Sequence, residues 1–394
     1  MREPHRLPEI QAALRAAALD GWLLYEFKGC NPIASGMLGF EGLSSRRAVA
    51  WIPARGTPVA LMHAIELDAW RLWPAAWGRI IYQSWRSLES ELAVLVRGKR
   101  VAMEYSPGDA VPYLDRVPGG VIDLVRACGA EVVTSAELVT RFHAVLTEAQ
   151  LASHIRSAEA LAEIGPAALH RAATAAHAGT PVTEYAVQQW IMAQFATRGL
   201  ETSHPCNVSV SANSANPHYE PTAERTALIT MDSVLLIDLW AGEPGEPYAD
   251  QTWMATIGAP SDPDVLPVWN AIRDARDAAI RVVRDGFAAA TPVRGADVDD
   301  AARAVITAAG FGAAFTHRTG HSMDAHDLHG SGPHMDGFET REERHLIPGV
   351  LFSVEPGVYL TGRFGMRTEV NVAVMPDGAV RVTPADIQID LFRL

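Results

Sequence analysis

Two aspartates, one histidine and two glutamates are the residues of this chain best suited to joint chemistry. Asp238 closes the apolar run LLID, and Asp250 follows in YADQT. His321 lies in HRTGH, Glu355 in SVEPGVY and Glu369 in GMRTEV. Each sits at or near a predicted strand end flanked by Gly or Pro turns. Singly, Asp238, Asp250 and Glu355 read as turn or surface acids, and His321 as a turn residue. Glu369 is different: an acid among the apolar neighbours of RTEVNVAV needs a partner. Together, four carboxylates and an imidazole form a donor set that divalent first-row cations accept. A carboxylate can bridge, so these five side chains suffice for two cations. Such a pair, roughly 3.5–4 Å apart, lowers the pKa of a water and stabilises a developing oxyanion. The stretch 315–369 is also rich in histidine, with His317, His326, His329, His334 and His345 around His321.

The whole chain must position these groups. Its 394 residues exceed one ordinary core, so two domains are expected. A formal charge of −13 argues against nucleic acid, whose phosphates need a basic face. Part of that acidity belongs to the candidate metal site. The start, MREPHRLPEIQAALRAAALDG, reads as an amphipathic helix without the apolar core of a signal peptide. No apolar run approaches the roughly 20 residues that cross a bilayer. Cys30, Cys128 and Cys206 are sparse and widely spaced, which fits free thiols in a reducing compartment. The expectation is a soluble cytoplasmic protein without membrane or nucleic-acid partners.

Residues 8–20 carry Ile10, Leu14 and Leu19 at helical spacing, and GWLLYEF follows as a buried strand. Strand, turn, strand and helix then alternate to about residue 140, predicting a compact α/β domain over 1–146. Thr147 and Gln150 form a capping box that opens a long helix to about His177 and a second domain, 147–394. Pro166 predicts a kink in that helix. A second helix, an apolar strand ending at Asp238 and a hairpin partner from Tyr248 to Ile257 come next. Two further helices precede the histidine-rich stretch and the final strands, where Asp377-Gly378 marks a hairpin turn. Helices then strands, twice over, make this domain α+β and hint at two related halves.

These motifs resemble the pita-bread metallopeptidases (family M24), which include prolidase, aminopeptidase P and methionine aminopeptidase. The resemblance rests on LLIDLW, YADQT, HRTGH, SVEPGVY and GMRTE in order. It extends over residues 146–394. Residues 1–140 are similar to the smaller creatinase-like N-terminal domain of the proline-specific branch, which methionine aminopeptidases usually lack. The fold implied is α+β, a C-terminal pita-bread domain preceded by that α/β domain. The resemblance implies two divalent metal ions, manganese foremost, with cobalt, zinc or iron as alternatives. Asp238 would bind one, His321 and Glu355 the other, and Asp250 and Glu369 would bridge. Glu355 would also act as general base. His218, in NPHY, would contact substrate or shuttle a proton. His317, Arg367 and Tyr359 would line the substrate pocket. The implied activity is hydrolysis of the bond preceding proline, in Xaa-Pro dipeptides first, by a homodimer acting on short proline-containing peptides.

Two departures predict an altered pocket. The usual second histidine, seven residues after the metal histidine, is Leu328 here; a one-residue insertion in SMDAHDL makes His329 its counterpart in preference to His326. The usual Arg after the Asp-x-Thr motif is Trp253. The segment 322–345 then reads either as a mobile lid or as a longer surface loop. Aminopeptidase P activity is the first alternative, and a non-peptidase of the same fold, such as a dimethylsulfoniopropionate lyase, is another. A silent binding protein is disfavoured because all five ligands are present.

Overall fold

The computed structural model describes residues 1–40 and 45–394. They form two compact units, Met1–His143 and Ala144–Leu394.

The first unit is built on one sheet. Its strands are β1 (Gly21–Glu26), β2 (Ala48–Pro53), β3 (Val59–His63), β4 (Gly78–Tyr82), β5 (Arg100–Met103) and β6 (Glu131–Thr134), in the order β4-β3-β2-β1-β5-β6. Helices α1 (Leu7–Ala16), α2 (Pro32–Leu38), α3 (Trp85–Val96), α4 (Gly119–Ala127) and α5 (Ala136–Val139) connect and cover it. Central β1 is buried along its whole length, as its unbroken apolar run requires. Ile10 and Leu14 face inward from α1. The buried Glu104 knits this core by accepting from Trp22 Nε1 (2.6 Å), Asn31 Nδ2 (2.7 Å) and Ser135 Oγ (3.0 Å).

The second unit opens with α6 (Glu148–His177), capped by the predicted Thr147–Gln150 box, and α7 (Glu184–Thr197). Helix α6 is a single element through Pro166, buried along one side against strands of the first sheet below. Strands β7 (Asn207–Val210), β8 (Ser233–Ala241) and β9 (Ala249–Ile257) follow, then α8 (Val265–Ala288) and α9 (Gly295–Ala308). The remaining strands are β10 (Ser322–Met323), β11 (Leu351–Val354), β12 (Gly357–Leu360), β13 (Phe364–Arg367), β14 (Val370–Val374), β15 (Val380–Thr383) and β16 (Phe392–Arg393). One sheet has the order β16-β9-β8-β7, a second β10-β11-β14-β15, and β12-β13 is a separate hairpin. The pleat sorts the side chains. Leu235, Ile237, Leu239, Trp253 and Ala255 join the core of α6 and α7. Phe352, Val354, Val370 and Val372 join the core of α8 and α9. Each sheet is therefore backed by a helix pair, and the doubled order read from sequence is a doubled architecture.

Candidate metal centre

The ligand candidates occupy the sheet faces turned away from those helix pairs. Asp238 on β8 lies opposite Thr252 on β9, and Asp250 lies opposite Trp240. Glu355 directly follows β11, and Glu369 directly precedes β14. On β11 the alternation that buries Val354 leaves Ser353 and Glu355 on the shared face. On β14 it leaves Glu369 and Asn371 there.

His321 is brought to this face by two devices. Buried Asp299 of α9 accepts from the Thr319 amide (2.9 Å) and hydroxyl (2.6 Å), while Arg303 donates to the His317 carbonyl at 2.8 Å. Backbone bonds then run from Ser353 N to His321 O (2.9 Å) and from Glu355 N to Thr319 O (2.7 Å). The approach is so close that a Cβ at Gly320 would meet the Ser353 carbonyl oxygen at 2.0 Å. Glycine is required there for space.

The geometry brings together all five predicted ligands. One donor atom from each of Asp250, His321 and Glu369 lies within 4.8 Å of the others, and all three residues are buried. His321 Nε2 stands 3.5 Å from Asp250 Oδ2 and 3.5 Å from Glu355 Oε1. Its Nδ1 is 3.2 Å from the Ser322 carbonyl, which can only accept, so the hydrogen belongs on Nδ1 and the Nε2 lone pair faces the carboxylates. Burial lowers the His321 pKa, against the opposing pull of Glu355. Burial, then Asp238 and Glu355, push the Asp250 carboxyl well up; burial, then Asp250, Glu355 and Asp238, do the same to Glu369. Burial also acts to raise Glu355, but His321, Arg367, His317 and Arg318 hold it down to about 2.

Two carboxylate oxygens, Asp250 Oδ1 and Glu369 Oε1, are buried with no hydrogen-bond partner. An unpartnered, desolvated carboxylate oxygen is costly, and cations are what satisfy it. The donor set therefore fits divalent metal ions: carboxylates and an imidazole, with unsatisfied oxygens converging.

Arg367 enters the cluster from β13. Its Nη2 pairs with Asp238 Oδ2, and its Nε lies 2.9 Å from Thr252 Oγ1, 3.7 Å from Glu355 Oε2 and 3.9 Å from Glu369 Oε2. Thr252 Oγ1 is 2.8 Å from Glu369 Oε2 and 3.2 Å from Asp238 Oδ1. The buried Tyr359 hydroxyl bonds His317 Nε2 at 2.8 Å, and His317 Nδ1 meets the Arg318 carbonyl at 2.7 Å. His317, Tyr359 and Arg367 thus form one wall beside Glu355. The His329 ring lies 4.2 Å from that of His321, tilted by 54°, and the residue is exposed. The His321 ring, then burial, bring its pKa down to about 3. His326 is exposed on the same loop, its amide bonded to Asp324 Oδ1 at 2.8 Å. His218 is exposed in the loop after β7, its amide bonded to Asn216 Oδ1 at 3.1 Å. That loop is tied down by buried Glu184, which accepts from Val210 N (2.7 Å), Tyr219 OH (2.7 Å) and Ala227 N (2.7 Å).

Trp253 occupies the other side of β9. It is buried against α6, where a Cβ at Gly165 would meet its Cδ1 at 2.4 Å, and its Nε1 bonds Gln251 Oε1 at 3.0 Å. The expected change of pocket at this position is corrected: period-two alternation turns Trp253 into the helix-facing core. The segment 322–345 is anchored from within. Buried Asp324 accepts from the amides of His326, Asp327 and Ser331, and buried Asp336 from those of Phe338 and Glu339. Buried Arg344 and Glu342 pair, and Arg344 also donates to the carbonyls of Ser331 and Gly332. Sequence reasoning missed Thr252, Ser353 and Asn371 as supports of the ligands. Ser353 Oγ donates to Glu355 Oε1 (3.1 Å) and accepts from His321 N (2.9 Å); Asn371 Oδ1 accepts from Asp250 N (3.0 Å). Each lies two residues from a ligand along its strand, the one signal that could have found them.

A model of metallopeptidase family M24 matches residues 153–376 of this sequence. The chain belongs to that family. It is 28% identical over 396 residues, spanning 96% of this chain and 93% of the relative, to a probable dipeptidase PepE of Mycobacterium bovis. It is 32% identical over 202 residues, half of each chain, to a Xaa-Pro dipeptidase of Lactobacillus delbrueckii subsp. lactis. The crystal structure of dipeptidase PepE from Mycobacterium ulcerans superposes with a TM-score of 0.72 at 22% identity, covering 100% of this chain and 98% of that one. The fold is the α+β pita-bread fold of these hydrolases, and members of the family are metal-dependent. Among the described residues, no helix is long and apolar enough to cross a membrane.

Proposed function

We propose that this M24 hydrolase cleaves the peptide bond preceding proline in short peptides, Xaa-Pro dipeptides above all. The observation that carries the proposal is the convergence of Asp250, His321 and Glu369, with two buried carboxylate oxygens left for cations to satisfy. Similarity to a Xaa-Pro dipeptidase supports the substrate class.

Asp238, Asp250, His321, Glu355 and Glu369 would hold two divalent ions, manganese first among the candidates. When bound, the ions supply Lewis acidity and lower the pKa of water near neutrality. The remaining chemistry belongs to the chain. Glu355, held ionised by its cationic neighbours, accepts the proton of the attacking water. His329, exposed beside His321, and His218, on its anchored loop, are the candidates to return a proton to the leaving nitrogen. That nitrogen is the imino nitrogen of proline, a tertiary amide without N–H before cleavage. The His317–Tyr359–Arg367 wall orients the substrate carboxylate beside the scissile bond. We assign residues 1–146 to the creatinase-like N-terminal domain and 147–394 to the catalytic one, and place the protein in the cytoplasm as a homodimer.

Proline release from Xaa-Pro dipeptides, with added Mn²⁺ and with a chelator control, tests this reading. Chelator-sensitive release, with Xaa-Pro-Xaa tripeptides poor, is expected. The opposite preference would make the enzyme aminopeptidase P-like. No cleavage of either by manganese-loaded protein would overturn the peptidase assignment.

A further inference from the structure

Strand β7 lies at the edge of its sheet and reads NVSV, an alternation that sorts its side chains. Val208 and Val210 join the core of α6 and α7. Asn207 therefore lies on the metal face, directly opposite Asp238 of β8. Residues so opposed have Cα atoms about 4.5–5.5 Å apart, so a group seated at Asp238 is within reach of the Asn207 amide.

Asn207 is only 6% exposed, and the two ends of its amide are differently placed. Its Nδ2 donates to the Pro217 carbonyl at 3.3 Å. That carbonyl can only accept, so the amide cannot be turned round and Oδ1 is fixed as an acceptor. Among the described residues nothing donates to Oδ1, which is buried without a hydrogen-bond partner. A buried amide oxygen left in this state is costly. Unlike the free oxygens of Asp250 and Glu369, it carries no formal charge for a cation to neutralise. What it lacks is a hydrogen-bond donor.

The substrate narrows the choice of donor. The backbone of an Xaa-Pro dipeptide carries N–H at one place only, the α-amino group, because the acylated proline nitrogen has none. Its carboxylate is assigned to the His317–Tyr359–Arg367 wall. We propose that Asn207 reads the free amino terminus: its Oδ1 accepts a hydrogen bond from the α-amino group of the Xaa residue, beside Asp238. This rests on the Xaa-Pro reading and names the residue that selects for an unblocked first residue. A site built around such a bond rejects a ligand lacking the donor, because the buried acceptor then stays unpaired. Asn207 also ties down the loop of His218 through Pro217, and the two roles separate experimentally. Losing the loop anchor weakens every ligand alike, whereas losing the acceptor weakens only ligands that carry the amino group.

The test is calorimetric binding of two inert probes to the manganese-loaded full-length protein. N-(2-aminopropyl)proline keeps the amino group of Ala-Pro without a cleavable bond, and N-propylproline lacks that group. Asn207→Leu should weaken the first probe by about tenfold and the second by less than about threefold. Asn207→Ala should do the same, and it decides the matter where N207L does not fold. Titration of MnCl₂ into the chelator-stripped variants should match wild type within about threefold. Equal weakening of both probes would reduce Asn207 to a loop anchor and overturn the proposal. Unchanged affinity for the amino probe would overturn it as well, and so would loss of manganese binding, which would make Asn207 a metal ligand. If wild type binds neither probe and releases no proline from Xaa-Pro dipeptides, it is the peptidase reading that fails.

Discussion

His154 offers a test of how the ligand hairpin is anchored. It lies fully buried on α6, with Nδ1 2.9 Å from the Tyr248 carbonyl and Nε2 2.9 Å from Thr383 Oγ1. Tyr248 is two residues before Asp250, so this bond ties the ligand-bearing end of β9 to the long helix. The carbonyl only accepts, which places the hydrogen on Nδ1 and leaves Nε2 to accept from the Thr383 hydroxyl. Burial brings the pKa of the ring from 6.5 down to about 4. As pH falls below 6.5, the unfolded chain binds a proton here that the folded chain refuses until about pH 4. Stability therefore falls as pH falls through that window, and the effect saturates below it. At about 1.36 kcal/mol per pH unit, the loss sums to about 3 kcal/mol. His154→Asn keeps a donor for Tyr248 but does not titrate. Urea unfolding of both proteins from roughly pH 7 to pH 4 isolates the effect, because the carboxylates common to both cancel in the difference. The stability advantage of wild type over H154N should shrink by about 3 kcal/mol across that range. A difference that stays constant with pH would refute the argument and show that the ring is already protonated, or reaches water, in the folded chain.

Three further substitutions probe the site. Asn371→Ala removes the acceptor for the Asp250 amide and should weaken manganese binding by about 10- to 100-fold with an unchanged circular dichroism spectrum, the effect usual for partners that orient metal ligands. Gly320→Ala drives a methyl group into the Ser353 carbonyl and should cost about 3 kcal/mol or more, read as a lowered thermal midpoint together with lost activity. Trp253→Arg restores the basic residue usual after the Asp-x-Thr motif, but its side chain would enter the helix-facing core. It should destabilise by several kcal/mol in thermal unfolding without shifting dipeptide preference; a stable variant with altered preference would place that face of β9 in the pocket.

What the sequence disclosed and what it hid divide along a physical line. Asp238, Asp250, His321, Glu355 and Glu369 could be picked out because each is a polar residue beside apolar strands and punctuated by Gly or Pro turns. The Thr147–Gln150 box and the Asp377-Gly378 turn were legible for the same reason: their signal is local, and the capping bonds form within three residues. Helix α2 and strand β4 escaped notice because they are short and carry no clear period. Trp253 misled because its neighbour in sequence, Thr252, points the opposite way. Only a strict count by two along β9 separates a residue bonded to Glu369 from one packed on Gly165. Arg367 marks the limit of such counting. Its place on β13 follows from pattern, but its partner Asp238 comes from a different sheet, and no spacing in the sequence relates them. That pairing exists only once β8 and the β12–β13 hairpin have been brought together by the cores behind them. The ligands could therefore be read from sequence, while the pairing of Arg367 with Asp238 is a property of the folded site.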